Sequence, residues 1–293
     1  MGLGEALAIG SALAWSAGVI IYKRLGETMS PLRLNLIKNL LVLGCVAPTV
    51  VFVYGFTLPS MSWSALALSL LSGAIGIAAA DTLYFRALNS LGAARMGIMG
   101  NLYSPFVILL SFAFLGERLN LVQGVGFLLV SGGVLVVSQR RSTDTLSPAE
   151  LRQGLFYGAT AIVMMAVAIV MVKRILEGQP LMWVVFLRLI GGVLGLFLMF
   201  AWKREPLLPR GPDVARLNWR VIAAGAFFGQ YVSMVMWLGG YKYTSASVAA
   251  ILNETASVFI VLMAAAFLHE GLGARKLIGV SLTLSGVGCM LLA

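Results

Sequence analysis

Long apolar runs follow one another along almost the whole chain and are separated by short polar segments. An α-helix needs about twenty mainly apolar residues to cross the hydrocarbon core of a bilayer. Each run of this length must be helical, because lipid offers no hydrogen-bond partners to the backbone. The predicted spans are residues 5–22, 34–54, 64–85, 94–115, 121–138, 153–172, 181–202, 219–240, 245–267 and 274–292. The pattern therefore predicts an all-α integral membrane protein with ten transmembrane helices.

The two halves of the chain repeat each other. Gly-Glu-Arg-Leu at 116–119 precedes His-Glu-Gly-Leu at 269–272 by 153 residues, and Lys38 precedes Arg188 by 150. The predicted units are a five-helix repeat over 1–138, a linker over 139–152 and a second five-helix repeat over 153–293. Five is an odd number, so the second half must enter the membrane from the opposite side. Inverted repeats are frequent in secondary transporters, whose solute site lies at the repeat interface near the midplane.

Composition agrees with a membrane location. Of the 293 residues, 60% are hydrophobic and only 11% are charged, about half the share expected of a soluble domain. A formal net charge of +10 would suggest a nucleic-acid partner for a soluble protein. Here the basic residues lie almost entirely in short segments between apolar runs, so membrane topology explains them and no nucleic acid is expected.

The distribution of basic residues also predicts an orientation. Connections after odd-numbered spans hold fifteen Lys and Arg residues, whereas connections after even-numbered spans hold four. Cytoplasmic loops are enriched in Lys and Arg, so both termini are expected outside the cytoplasm. The expected location is the plasma (inner) membrane of a prokaryote.

Short motifs recur in a fixed order along the chain. They are Trp15 in span one, Pro31 before Lys38, Pro180 before Arg188, Tyr84-Phe85-Arg86-Ala87-Leu88, and Pro105 before Gly116-Glu117. In this order they resemble the drug/metabolite transporter superfamily, specifically its ten-span EamA-type carriers. The second half departs from the family pattern, because Val258 replaces the proline of span nine and His269 replaces the glycine before Glu270.

The resemblance implies two inverted repeats in which four helices of each half surround a central cavity, with spans five and ten outside. It implies carriage of small polar or amphipathic metabolites, often outward, without ATP or another cofactor. It also implies that both chain ends lie in the cytoplasm. That is opposite to the charge count, so both orientations stay open.

Ionisable groups inside spans cost roughly 2.5–3.5 kcal/mol each on insertion scales and are therefore functional candidates. Glu254 lies deepest, in span nine, and its counterpart 153 residues earlier is Asn101 in span four. A carboxyl group in a low-dielectric medium favours its protonated form, which suits exchange of a proton for a solute. The structural alternatives for Glu254 are a pair with Arg188 and a hydrogen-bonded acid between helices.

Asp81 is expected to pair with Lys38, and the alternative partner is Arg86, although a spacing of five residues is poor for direct contact on a helix. Lys38 and Arg188 are candidates to bind a carboxylate or phosphate, and the alternative is that both extend to the membrane interface. The aromatic candidates for the cavity wall, with packing as the alternative, are Trp15, Tyr84, Tyr103, Tyr231 and Trp237. Pro105 is a predicted hinge in span four. Glu117 and Glu270, at helix ends, are predicted to stabilise loops.

The sequence has no phosphate-binding loop, no Ser/His/Asp set and no metal-ligand spacing, so no enzyme, metal site or cofactor is predicted. The candidate residues include two acids and two bases. This near balance of charge favours a zwitterionic metabolite such as an amino acid. We expect a secondary active transporter, an exporter working by alternating access, with protons as the candidate coupling ion. A lipid or lipid-linked sugar flippase and a non-transporting membrane scaffold subunit stay open as alternatives. So do a monomer and a homodimer.

Overall fold

The apolar runs form helices throughout the residues that the computed structural model describes, which are 2–26, 29–55, 57, 59–138, 147–204, 218–268 and 273–292. The α-helices of these residues are α1 (Leu3–Gly26), α2 (Pro31–Tyr54), α3 (Trp63–Gly73), α4 (Asp81–Gly100), α5 (Tyr103–Leu115), α6 (Leu121–Ser138), α7 (Pro148–Gly178), α8 (Leu181–Lys203), α9 (Trp219–Ala226), α10 (Ser233–Tyr243), α11 (Ala246–Asn253), α12 (Ala256–Leu268) and α13 (Ala274–Leu292). A first π-helical turn (Ala74–Ala80) joins α3 to α4, and a second (Phe227–Val232) joins α9 to α10.

Several predicted spans match these helices closely. α6 and α13 coincide with the predicted spans 121–138 and 274–292. By length and composition, the helical stretches able to cross a bilayer are Pro31–Tyr54, Trp63–Leu91, Pro148–Gly178, Leu181–Lys203 and Trp219–Tyr243. Shorter apolar helices cover most of the other predicted spans. The exposed side chains of α2 and α8, such as Phe52 and Trp202, are apolar up to the exposed Lys203 that ends α8, as a lipid-facing surface requires.

Spans three and four differ from the prediction. The segment 86–93 was predicted to be the connection between spans three and four. It is helical in the structure, where α4 continues to Gly100. That segment has no proline and a single glycine, so little in it would end a helix. The helix ends later, and the predicted span 94–115 is broken at 101–102.

Span six also begins earlier than predicted. α7 starts at Pro148, within the segment expected to be a linker, rather than at residue 153. Ser147 and Glu150 form a capping box, in which each side chain bonds to the backbone N–H of the other residue. This motif satisfies two N–H groups that the first helical turn leaves unpaired, and it sets the start of the helix.

The first helix of each half packs against the third span of the other half. α1 lies along α10 and the second π-helical turn. α7 lies along α4 and the first π-helical turn. α2 packs on α8, and α6 packs on α13. The halves are therefore interlocked, and the core lies between them.

Small residues allow the closest of these contacts. Gly18 of α1 meets the backbone of Gly229, and Gly76 meets Ala168 of α7. Ala168 follows Gly18 by 150 residues and Gly229 follows Gly76 by 153, so the two contacts occupy corresponding places in the halves. Such small residues let helix backbones approach closely within a membrane bundle.

Gly191→Ala is expected to destabilise the protein by about 1–3 kcal/mol, because a Cβ at Gly191 of α8 would collide with the carbonyl of Leu70 on α3. The measurement is the thermal unfolding midpoint of the detergent-solubilised protein. Gly44→Ala on α2 is the matched control, since nothing lies within 4 Å of its added Cβ. Equal midpoints for the two variants would contradict the close approach of α3 and α8.

Candidate functional site

A buried ion pair joins α2 to the start of α4. Lys38 Nζ donates to Asp81 Oδ2 at 2.8 Å, and the two side chains are 1% and 15% exposed. The rings of Tyr22 and Phe85 lie 5.6 and 5.0 Å from Nζ and add cation–π contacts. The predicted pair is confirmed. The alternative that Lys38 extends to the membrane interface is wrong, because its ammonium group is held inside the protein.

Asparagine side chains hold this pair in place. Asn35, one turn before Lys38, donates from Nδ2 to the carbonyl of Ile77 at 2.7 Å and to Thr82 Oγ1 at 3.1 Å. Asn39 Nδ2 donates in turn to Asn35 Oδ1 at 2.7 Å. The first π-helical turn is thereby bonded to α2, and Asp81, which follows it directly, is positioned against Lys38. Such turns occur often at functional sites.

Arg188 occupies the corresponding place in the second half but has different partners. Its Nη1 donates to Ser72 Oγ and to the carbonyl of Ala168, the latter at 3.2 Å. The guanidinium carbon lies 5.8 Å from the ring centroid of Trp237. The side chain is 2% exposed, and its Nε has no hydrogen-bond partner. Arg188 is therefore buried, and the alternative that it extends to the membrane interface is also wrong.

Glu254 lies in the break between α11 and α12 and is 7% exposed. Ser104 Oγ donates to its Oε1, and Ser131 Oγ donates to its Oε2 at 3.2 Å. Because Ser104 belongs to α5 and Ser131 to α6, the carboxyl group bonds to two neighbouring helices. Of the two structural alternatives, hydrogen bonding between helices matches this geometry, and pairing with Arg188 does not.

The helix break at Glu254 has a counterpart in the first half. Asn101 and Leu102 separate α4 from α5, and they stand 153 residues before Glu254 and Thr255. Pro105 accounts for the first break, because proline has no N–H to donate to the carbonyl of Asn101 four residues earlier. Asn101 is buried, and its Nδ2 has no hydrogen-bond partner.

The second break forms without a proline, since Val258 stands at the position equivalent to Pro105. Side chains bond to backbone carbonyls there instead. Thr255 Oγ1 donates to the carbonyl of Leu252, and Asn253 Nδ2 donates to the carbonyl of Ala249, both at 2.7 Å. Such local bonds compete with regular helix. The break is therefore common to both halves, although different residues produce it.

The structure divides the predicted aromatic residues among separate places. Trp15 and Tyr84 have ring centroids 6.5 Å apart, and Trp15 also contacts Tyr22, whose ring faces Lys38. These two residues therefore lie beside the ion pair.

The other three predicted aromatic residues have different partners, most of which belong to the second half. Trp237 faces Arg188 and contacts the ring of Tyr241 at 5.2 Å between centroids. Tyr103 Oη lies 2.8 Å from Tyr241 Oη. Tyr231 has different neighbours, with its hydroxyl 2.9 Å from Thr49 Oγ1 on α2.

Charged side chains join helix ends at one end of the bundle. Glu117 accepts hydrogen bonds from the backbone N–H groups of Ala246 at 2.8 Å and Ser247 at 2.9 Å, at the start of α11. An anion is favourable there, because a helix N-terminus carries partial positive charge. Glu117 was predicted to stabilise a loop, and it bonds instead to the first N–H groups of α11, whereas Glu270 and His269 lie outside the described residues.

Three further charged groups complete this arrangement. Lys242 Nζ donates to the carbonyls of Leu176 at 2.5 Å and Gln179 at 2.7 Å, at the end of α7. Lys173 Nζ donates to the carbonyl of Thr244 at 2.9 Å, and Thr244 Oγ1 donates to Glu5 Oε1 at 2.7 Å. We call Glu5, Glu117, Lys173 and Lys242 the end network. It ties α1, α5, α7, α10 and α11 together.

The sequence analysis did not identify several polar residues that bond to, or lie beside, the predicted site residues. They are Asn35, Ser72, Ser104, Ser131 and Tyr241. Spacing could have indicated two of them, since Asn35 precedes Lys38 by three residues and Tyr241 follows Trp237 by four. Ser72 and Ser131 resemble the other small residues of their spans, and only the fold brings them to Arg188 and Glu254.

Known proteins with related sequences or folds agree with this architecture. Protein PecM of Dickeya dadantii (strain 3937) is 28% identical over 240 residues, which are 79% of this chain and 75% of PecM. An uncharacterized transporter in the cobO 3' region of Sinorhizobium sp is 34% identical over 110 residues, which are 36% of this chain and 74% of that protein.

A protein of known crystal structure has the same fold, with a TM-score of 0.79 at 19% identity over 99% of this chain and 96% of that one. A model of the EamA-like transporter family matches the chain twice, over residues 2–139 and 152–292. The resemblance seen in the sequence motifs is thereby confirmed. Because the two matches are consecutive and cover nearly every residue, this integral membrane protein belongs to the EamA-like transporter family.

Proposed function

We propose that this protein is a secondary transporter that moves a small polar solute by alternating access between two inverted repeats. The observation that carries the proposal is the pair of helix breaks 153 residues apart, one holding Asn101 and the other the buried Glu254. Broken helices at membrane depth are tolerated where they are buried in protein or line a cavity. In transporters they form solute and ion sites at the interface of inverted repeats.

Two features support the inverted arrangement. Each half holds five apolar segments, which is an odd number, so the second half starts from the other side of the bilayer. The contact of Gly18 with Gly229 in one place corresponds to the contact of Ala168 with Gly76 in the other. The residues of the two contacts are related by the same offsets of 150 and 153 residues that relate the sequence motifs. A two-fold axis in the membrane plane would relate such contacts.

The charges at the site favour a zwitterionic metabolite such as an amino acid. The candidate site residues include two acids, the buried Glu254 and the partly buried Asp81, and two bases, the buried Lys38 and Arg188. Glu254 can take up and release a proton at its break, whereas Asn101 at the equivalent break cannot. Proton exchange at Glu254 would therefore couple solute movement, in the outward direction, to the pH gradient.

The two alternatives gain no support from the described residues. A flippase requires polar lateral faces, but the exposed side chains of α2, and of α8 before its last residue Lys203, are apolar. A scaffold without a solute path would have bulky apolar side chains where Lys38, Asp81 and Arg188 are buried. Both alternatives remain as outcomes of the transport assay.

The assay uses the purified chain in liposomes, with a panel of labelled amino acids and related metabolites preselected by thermal shift, because a bound solute stabilises the folded state. We expect saturable flux of at least one solute and none in protein-free vesicles. Scrambling of labelled lipid without solute flux would favour the flippase. Absence of both activities would favour the scaffold.

Crosslinking across the end network is expected to stop transport, because alternating access requires that end of the bundle to open. The variant carries Glu117→Cys and Ser247→Cys in a background where Cys45 and Cys289 are replaced by alanine. A short bifunctional thiol reagent should abolish solute flux, and a reductant should restore it. The two single-cysteine variants are the controls. Full flux through the crosslinked protein would contradict opening at this end.

We also propose that the protein lies in a prokaryotic inner membrane with both termini outside the cytoplasm. The support is the bias of fifteen against four basic residues between odd and even connections. Accessibility of terminal tags to a protease added to spheroplasts, in which the outer membrane no longer protects the periplasmic face, tests the orientation. Protected tags would favour the opposite orientation, which the family resemblance implies.

A further inference from the structure

The geometry points to Arg188 as the binding site for a carboxylate group of the transported solute, an inference that rests on the proposed function. The guanidinium is anchored on one side only. Nη1 makes both hydrogen bonds that the structure gives this group, to Ser72 and Ala168, and Nε has none. Among the described residues, Nη2 also lacks a hydrogen-bond partner.

The unused atoms form a fork. Nε and Nη2 lie on the edge of the guanidinium that bonds side-on to a carboxylate with two parallel hydrogen bonds. The Nη1 anchor and the ring of Trp237 fix the plane of the group, so the fork has a set direction before any ligand arrives. Preorganised donors bind more tightly, because less conformational freedom is lost on binding.

A glycine faces the Nη2 side of the fork. A Cβ added at Gly76, in the first π-helical turn, would lie 3.4 Å from Arg188 Nη2 and 3.0 Å from the Cβ of Ala168. Any longer side chain at this position would approach the guanidinium directly. The glycine thus leaves the Nη2 side of the fork uncovered by the helix that faces it.

The charge of the site also calls for an anion. Asp81 neutralises Lys38 at 2.8 Å, but the residue 153 positions after Asp81 is Met234, so the second half lacks the equivalent acid. Within the described part of the chain, no carboxylate lies at ion-pair distance from Arg188. Arg188 therefore leaves one unneutralised positive charge at the site. One carboxylate would neutralise it, whereas a phosphate monoester, with a charge of about −1.5 to −2, would make the site negative.

Acetate tests the inference without knowledge of the natural solute. The full chain in a nonionic detergent is titrated with sodium acetate, acetamide, sodium phosphate and sodium chloride at constant ionic strength, and the thermal unfolding midpoint is followed. We expect a saturable rise with acetate that exceeds those with chloride, acetamide and phosphate. In Arg188→Gln the apparent affinity for acetate should fall about 10- to 100-fold, as for loss of charge-assisted hydrogen bonds.

Arg152→Gln is the matched control, because it removes an exposed arginine at the start of α7 and should keep the wild-type response. If Arg188→Gln does not fold, Arg188→Lys retains the charge without the fork and should bind acetate with intermediate affinity. An acetate response equal in the wild type and the Arg188 variants, or no greater than the chloride, acetamide or phosphate response, overturns the assignment.

The assay of transport separates this inference from the proposed function. Flux of a solute that carries no anionic group would overturn the carboxylate site and leave the transport function standing. Arg188-dependent binding of acetate without flux of any solute would leave the site standing and remove the transport function.

Discussion

Asp81→Asn is expected to lower the free energy of unfolding by about 3–5 kcal/mol, the usual cost of leaving a buried charge without its partner. Lys38 is 1% exposed, and within the described part of the chain its one hydrogen bond is the 2.8 Å contact with Asp81. The rings of Tyr22 and Phe85 offset only part of the loss, since cation–π contacts contribute roughly 0.5–2 kcal/mol. Chemical unfolding of the purified protein in detergent measures the change.

A double variant separates loss of the pair from loss of the aspartate itself. Lys38→Met combined with Asp81→Asn removes both charges and should recover most of the stability. Glu177→Gln is the comparison variant: Glu177 is 51% exposed and pairs at 2.5 Å with Lys173, which is 3% exposed but also donates to the carbonyl of Thr244, so a smaller loss is expected. Similar losses for Asp81→Asn and Glu177→Gln would contradict the buried character of the Lys38–Asp81 pair.

Hydrophobic patterning alone is sufficient to locate most helices of this protein. In lipid the backbone of each span must bond within itself, so an apolar run has one regular structure open to it. α6 and α13 begin and end where the apolar runs do. The segment 86–93 shows the limit of this reasoning, because a few polar residues mark a change of environment without ending the helix.

The breaks and the π-helical turns are not visible in hydrophobicity. α11 and α12 are both apolar, and their separation depends on hydrogen bonds of Asn253 and Thr255 to particular carbonyls. The charged candidates were predictable because ionisable residues within spans are few. Their partners were not, since Ser72 and Ser131 reach them from distant parts of the sequence.

The two halves share a fold and differ in how they use their charges. Each contributes one base from its second span, Lys38 or Arg188, and one acid, the partly buried Asp81 or the buried Glu254. In the first half the acid and base bond to each other, so each already has a charged partner. In the second half they bond to different residues, so each retains capacity for a ligand or a proton. The second half is therefore where solute and proton chemistry is expected.

Glu254→Gln is expected to abolish the dependence of solute flux on a pH gradient. Glutamine has nearly the same shape, and its carbonyl oxygen can still accept the hydrogen bond from Ser104, so the fold should be retained. It cannot take up or release a proton. With exchange of one proton per solute, a gradient of one pH unit supports about a tenfold solute concentration ratio at equilibrium. The variant should give a ratio of about one under the same gradient.

The measurement is accumulation of the solute identified by the transport assay, in liposomes with and without an imposed pH gradient. Glu150→Gln is the matched control, because it removes an exposed carboxylate at the start of α7 and should retain gradient-driven accumulation. Counterflow exchange without a gradient shows whether the Glu254 variant still moves solute. Wild-type accumulation by Glu254→Gln would contradict proton coupling at this residue. Retained counterflow with no accumulation would assign the coupling to the carboxyl group that Ser104 and Ser131 hold in the second helix break.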